Sequence, residues 1–259
     1  MSEQAARARE RAVTLHVTGL TKHYGETVAL NGADIVFAAG TVHAVLGENG
    51  SGKSTLVKIL SGITAPTGGA VTIDGAAVSR FQPVALQALG IGTVFQEVLI
   101  APDRSVADNV LLGIDGLFRR RVPRAQRGTL ARALLARVTE SVIDVTAPAG
   151  ALPLAQRQLV VLARALAKAP RVLILDEVTA ALDYGDRAAV FAFMRRFTVA
   201  GGLIIFITHR IDEVTDLADR ISVLRSGCVV RSVSRGELPV SGLLALMAPA
   251  TLDATADAA

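Results

Sequence analysis

Gly47-Glu48-Asn49-Gly50-Ser51-Gly52-Lys53-Ser54 is the stretch that decides the fold. It matches G-x-x-x-x-G-K-[ST], a loop whose backbone N–H groups cradle phosphate oxygens. The apolar run TVHAVL (41–46) precedes it and reads as a strand. Thr55 and LVKILSG (56–62) follow as a short amphipathic helix stopped by Gly62. The glycines let main-chain N–H groups turn inward, and the helix start adds a dipole that favours an anion. Lys53 would place its charge at the β- and γ-phosphates, and the Ser54 hydroxyl would bind Mg²⁺. A plain glycine turn with a solvated lysine would need neither the strand before nor the helix after.

A phosphate loop needs an acidic partner on a neighbouring strand, and VLILDE (172–177) supplies one. Five apolar residues suit a strand buried on both faces of a parallel sheet. Asp176 emerges at its carboxyl end, where open α/β sheets bind ligands, and would hold Mg²⁺. Glu177, next along, is the candidate to polarise an attacking water.

The surrounding chain fits this frame. Residues 13–19, 27–37, 41–46 and 90–95 read as strands, and AVTI (70–73), closed by Asp74-Gly75, adds one to a small antiparallel sheet. From about 97 to 157 helical periodicity dominates, which predicts an inserted helical subdomain. Strand–helix alternation then returns: RVLILD, a helix over about 186–198, LIIFIT, a helix around DEVTDLADR, and strands near ISVLR and CVVRSV. This alternation predicts an α/β domain with a largely parallel sheet. The last dozen residues, small and polar, predict a frayed tail.

Composition limits the alternatives. Apolar residues make up 51% and charged residues 19% of 259, enough for a sizeable core. No apolar run approaches the ~18 residues of a membrane-spanning helix. The start, MSEQAARARERAV, is polar and unlike a secretory signal. The expectation is a soluble protein, or one attached to a membrane through a partner. Cys228 is the single cysteine and cannot form an internal disulfide. The net charge is +4, with arginines gathered at 119, 120, 121, 124 and 127. With aromatics at 4% and no nucleic-acid module, that cluster reads as a solvated face, and no nucleic-acid partner is expected.

Beyond the phosphate loop, the order of elements resembles the nucleotide-binding subunits of ABC transporters, over about residues 12–245. The resemblance implies a P-loop NTPase with a RecA-like core, a small antiparallel β subdomain and the inserted helical subdomain. It implies tails at 1–11 and 246–259, with ATP and Mg²⁺ as cofactors. Tyr24, in KHYGETVAL, matches the aromatic that stacks on adenine. Gln96, in TVFQE, matches the Mg²⁺-ligating glutamine that senses the membrane partner. Asp183, in TAALD, matches the aspartate that communicates across a dimer of ATPase domains. His209, in IIFITHR, matches the histidine that contacts the γ-phosphate, while His16, His23 and His43 match nothing.

The family's signature L-S-G-G-Q, which faces the other subunit's ATP, aligns with Leu152-Pro153-Leu154-Ala155-Gln156. Three of the five positions differ, while Leu152 and Gln156 are kept; Pro153, Ala155 and Gln156 are the candidates for that contact, in which Pro153 removes a hydroxyl and an N–H donor. As the first helical residue a proline is tolerated, so the expectation is a weakened contact between subunits. Val178 stands where the family has proline.

The phrases IGTVFQEVLIAPDRSVADNVLLG and THRIDEVTDLADRISVLRSG further resemble the ATP-binding subunits of bacterial importers for ribose, xylose and galactose. That likeness implies a second ATPase domain, identical or different, integral membrane permease subunits, and indirectly a substrate-binding protein. It implies a peripheral place on the cytoplasmic face of the inner membrane. Those subunits carry two ATPase domains in one chain of roughly double length. Competing readings are an ABC-type ATPase outside transport, a P-loop kinase, and a catalytically weak regulatory subunit. The kinase does not account for Gln96, the 152–166 segment and His209 in this order.

Overall fold

The computed structural model describes residues 13–114 and 121–248. Residue 12, the expected tail 1–11, Arg119, Arg120 and residues 249–259 lie outside the described residues.

Two sheets share the core. The smaller is antiparallel, in the order β2-β1-β4-β5. It comprises β1 (Leu15–Tyr24), β2 (Thr27–Phe37), β4 (Gly68–Ile73) and β5 (Ala76–Ala77). Burial alternates along β1 and β2: Leu15, Val17, Ala33, Ile35 and Phe37 point inward, as period-two patterning requires. Asp74 and Gly75 both take positive φ, 52° and 80°, which is the primed turn that a two-residue hairpin needs.

The larger sheet runs β10-β9-β3-β8-β7-β6. Its members are β3 (Val42–Leu46), β6 (Ile91–Val94), β7 (Val172–Asp176), β8 (Leu203–Ile207), β9 (Arg220–Arg225) and β10 (Cys228–Ser234). All pairs are parallel except β9 with β10. Every residue of β3, β7 and β8 is buried, so these strands carry continuous apolar runs where β1 and β2 alternate. Two polar side chains interrupt that interior, His43 within β3 and Asp176 at the end of β7. His43 Nε2 lies 2.8 Å from Ser222 Oγ, which lies 2.7 Å from Ser232 Oγ, a polar chain that runs from the buried His43 and Ser222 to the exposed Ser232 across β3, β9 and β10.

The predicted helical insert lies between β6 and β7. It contains α3 (Val106–Val110), α4 (Arg124–Leu135), a 3₁₀ turn (Ala149–Ala151) and α5 (Leu154–Leu166). The inner face of α5, including Leu159, Val160, Leu162 and Leu166, packs in one cluster with Leu173 and Leu175 of β7. Pro153 stands one place earlier than expected: with ψ of 156° it is the residue before the first turn, not in it, and its carbonyl accepts from the Arg157 N–H. Around the sheets lie α1 (Lys53–Leu60), α6 (Tyr184–Val199) and α7 (Ile211–Leu217).

Two helices are additional to those expected from the sequence. Pro83 opens α2 (Pro83–Ala88), and α8 (Val240–Met247) closes the described chain. The tail expected from 246 is corrected at its first residues. Leu246 and Met247 belong to α8, where Leu243 and Met247 are buried in a cluster with Leu46, Ile221 and Val223.

Candidate active site

Four loops meet at the carboxyl ends of the adjacent strands β3, β8, β7 and β6, the edge where open α/β sheets bind ligands. The loop after β3 is Gly47–Ser54. Gly47 backs onto the main chain of β9: a Cβ there would sit 2.3 Å from the Leu224 carbonyl oxygen. Gly52 has φ of +107°, a conformation that disfavours any side chain, and a Cβ would meet the Ala29 carbonyl at 2.6 Å. These two positions admit no larger residue without displacing backbone, which is why the loop can wrap so tightly onto α1. No side chain caps the start of α1, so its first N–H groups remain directed at the cavity.

Lys53, buried at the start of α1, donates to the Gly47 carbonyl at 2.7 Å and the Glu48 carbonyl at 2.9 Å. Burial holds its pKa below the usual lysine value, against the opposing pull of Glu177, Asp176 and Glu48. Asp176 ends β7 with its carboxyl raised to about 6, first by burial and then by Glu177, with Lys53 acting against both. A divalent cation would relieve that penalty. Among the described residues no group of three or more His, Cys, Asp and Glu gathers around a metal site. The oxygens of Asp176, Ser54 and Gln96, one carboxylate among them, fit Mg²⁺ that keeps waters and substrate phosphates.

Glu177 has φ of +50°, unusual for a residue with a side chain. Its N–H donates to the Ile207 carbonyl at the end of β8, and its Oε1 lies 2.9 Å from His209 Nδ1. His209 is about half exposed, while Glu177 lies largely covered beneath it. The carboxylate and the imidazole therefore meet although 32 residues separate them.

One cavity of about 770 Å³ gathers most of the sequence candidates. Gly47, Glu48, Asn49, Gly50, Gly52, Lys53, Ser54 and Thr55 form one wall, and Gln96, Asp176, Glu177 and His209 another. Ser51 is buried beneath the loop and does not line the cavity. Tyr24 does not line it either: the ring is 46% exposed, with Lys22 Nζ 5.0 Å from its centroid. Its hairpin partner Thr27 does line the cavity, with Val28 and Ala29 of β2 and Met247 of α8. Sequence reasoning passed over these four. The β2 residues could have been found from their place opposite Tyr24, whereas Met247 carries no local signal.

The remaining candidates stand apart from this cavity. Pro153, Ala155 and Gln156 lie at the start of α5, with Pro153 exposed and the neighbouring Leu154 57% exposed. Asp183, also exposed, caps α6 by accepting from the Asp186 N–H at 2.8 Å.

Residues 30–180, more than half of the chain, match the family model described as ABC transporter. The chain belongs to the ABC transporter family.

The solved structures agree on the fold of this ABC cassette. The dimeric structure of MJ0796, a bacterial ABC transporter cassette, superposes with a TM-score of 0.77 at 27% identity, covering 86% of this chain and all of that one. The same cassette in a post-hydrolysis state bound to ADP and Pi gives 0.75. The fold is thus the P-loop NTPase with a small β subdomain and a helical insert. Among curated relatives, a ribose import ATP-binding protein of Rhizobium johnstonii is 43% identical over 218 residues, covering 84% of this chain and 43% of that protein. A putative ribose/galactose/methyl galactoside import ATP-binding protein of Agrobacterium fabrum is 38% identical over 236 residues, covering 91% and 47%. The chain spans less than half the length of these relatives.

Proposed function

We propose that this ABC cassette binds ATP with Mg²⁺ and hydrolyses it to power a bacterial importer of a ribose-class monosaccharide. The observation that carries the reading is the Glu177–His209 contact beside Lys53 and Asp176 in one cavity of about 770 Å³, roomy enough for a nucleotide. The loop N–H groups and Lys53 would hold the phosphates, because charge-assisted bonds to phosphate are stronger than the lysine's present bonds to carbonyls. Ser54, Gln96 and Asp176 would hold Mg²⁺, which neutralises charge on the phosphate oxygens when bound. Glu177 would accept the proton of the attacking water, and His209 fixes the direction of that carboxylate. Val28 and Met247 offer apolar surface to the nucleoside end.

The start of α5 is exposed and does not line its own cavity, which supports a role toward the ATP of a second ATPase domain. Pro153 has no side-chain hydroxyl to offer there, so that contact is weaker than a serine would make. A second cavity of about 190 Å³, beside Gln96 and between β6 and α5, is walled in part by Phe95, Leu99, Val161, Arg164 and Lys168. We place the permease contact there, with residues 97–157 as the arm that carries motion to it. Among the described residues no helix is long and apolar enough to cross a membrane. The cassette would then sit on the cytoplasmic face of the inner membrane, held by its permease, with a substrate-binding protein delivering the sugar from the far side.

The test is ATP hydrolysis by the purified chain and by Glu177→Gln. The expected result is hydrolysis in the wild type, lost in the variant while ATP still binds. Wild-type turnover in Glu177→Gln would remove Glu177 from the mechanism. Reconstitution with the permease encoded beside it, against a panel of sugars, tests the cargo.

A further inference from the structure

The Glu177–His209 contact joins two loops that leave neighbouring strands, and the sheet ladder does not by itself fix their spacing. The β7–β8 ladder ends at the Asp176–Ile207 pair, with one further bond from the Glu177 N–H to Ile207. Beyond that point both loops are tied to a third element. Glu213, in the first turn of α7, is 2% exposed and does not line the nucleotide cavity. Its Oε2 accepts from Thr179 Oγ1 at 2.9 Å and from Thr208 Oγ1 at 3.2 Å. Thr179 lies two residues beyond Glu177, and Thr208 immediately precedes His209. Both threonines are buried.

We propose that Glu213 is a positioning residue: one carboxylate oxygen clamps the Glu177 loop to the His209 loop and so sets the distance between the two. Three features give the clamp direction. Thr208 Oγ1 also accepts from the Arg210 N–H at 3.1 Å, which orients the hydroxyl hydrogen away from that N–H and toward Glu213. Glu213 Oε1 faces the Arg210 guanidinium at 3.5 Å, so the carboxylate is held from the outer side as well. Glu177 itself sits at φ of +50°, a conformation that surrounding structure must enforce. A carboxylate serving only the start of α7 would bond to helix N–H groups; this one bonds to hydroxyls from two other loops. Catalytic groups lose turnover steeply when displaced by even about 1 Å.

The inference rests on the ATPase reading for its kinetic readout, and a second readout is independent of it. Thr179→Val with Thr208→Val removes both hydroxyls at nearly constant volume, and Glu213→Ala removes the acceptor. Each should lower kcat for ATP about 10- to 100-fold with KM within about twofold. Thr179→Ser and Thr208→Ser, which keep the hydroxyls, should retain wild-type kcat. The His209 ring signal in heteronuclear NMR, readily assigned among four histidines, should move in the valine double variant and stay in the serine variants. Unchanged kcat with an unmoved His209 signal in the valine variant overturns the clamp. So does a loss of kcat matched by an equal loss of ATP affinity that serine fails to rescue, since that marks a fold defect. If the wild type hydrolyses no ATP, the ATPase reading fails and the His209 signal alone decides the clamp.

Discussion

Asp176→Asn probes the electrostatics at the floor of the phosphate cavity. Burial and the adjacent Glu177 raise the Asp176 carboxyl from 3.8 to about 6, even with Lys53 opposing. A rise of that size corresponds to about 3 kcal/mol at 1.36 kcal/mol per pH unit. The cavity is open to water on one side, so about 2 kcal/mol is the expected net effect. The folded state binds the proton more tightly than the unfolded state. The penalty of an ionised Asp176 is therefore absent below about pH 3.8, grows between about 3.8 and 6, and is complete above 6. Without Mg²⁺ and nucleotide, Asp176→Asn should be the more stable protein by about 2 kcal/mol at about pH 7 and equal to wild type near pH 4. Urea unfolding followed by circular dichroism in the presence of a chelator measures the difference across this range. A wild type more stable at about pH 7, or a difference that does not change with pH, refutes the reasoning. Adding Mg²⁺ and ATP should reverse the order, because only the carboxylate has a charge to offer the metal.

Two further variants address the loop and the subunit contact. Gly47→Ala drives a Cβ into the Leu224 carbonyl and should lower stability by about 1–3 kcal/mol, read as a fall in the urea midpoint together with weaker ATP binding. Pro153→Ser with Leu154→Gly and Ala155→Gly should raise turnover about tenfold or more in a verified homodimer, since a charge-assisted hydrogen bond contributes about 1.5–3 kcal/mol. Unchanged turnover in that homodimer would remove the weakened contact as an explanation.

The parts of the fold written in local patterns were legible in the sequence. VHAVL, VLILD and LIIFI declare buried parallel strands by runs that are apolar but for His43 and the terminal Asp176, and Asp74-Gly75 declares its turn. The phosphate loop was readable because its glycines answer to local backbone geometry. The α8 helix was not, because it is held by packing against β9 that no window of sequence contains. Met247 therefore reaches the cavity unannounced. Tyr24, whose motif position predicts an adenine platform, stands outside the cavity lining, which Thr27 and Val28 of the same hairpin enter. Pro153 fell one residue outside its expected place because helix starts depend on ψ, which composition does not report. Glu213 was invisible for a related reason, as its partner Thr179 lies 34 residues away and meets it only through the sheet.

The chain of polar atoms from His43 through Ser222 to Ser232 acts as a depth gauge for the phosphate loop. Strand β3 is apolar on both faces, so burial alone would accept the strand displaced along its axis by two residues. Such a slip would separate the buried imidazole from the buried Ser222 hydroxyl, at about 1–3 kcal/mol for each group left unpaired. Burial, with Arg220 adding to it, lowers His43 to about 3, so the ring stays neutral and shares a hydrogen bond without a charge to hydrate. Gly47 lies four residues beyond His43, and the Leu224 carbonyl behind it lies two beyond Ser222. Fixing one pair fixes the height at which the other leaves the sheet. Apolar residues of equal volume could hold this interior as firmly, yet they would leave the protein indifferent to where its phosphate site stands.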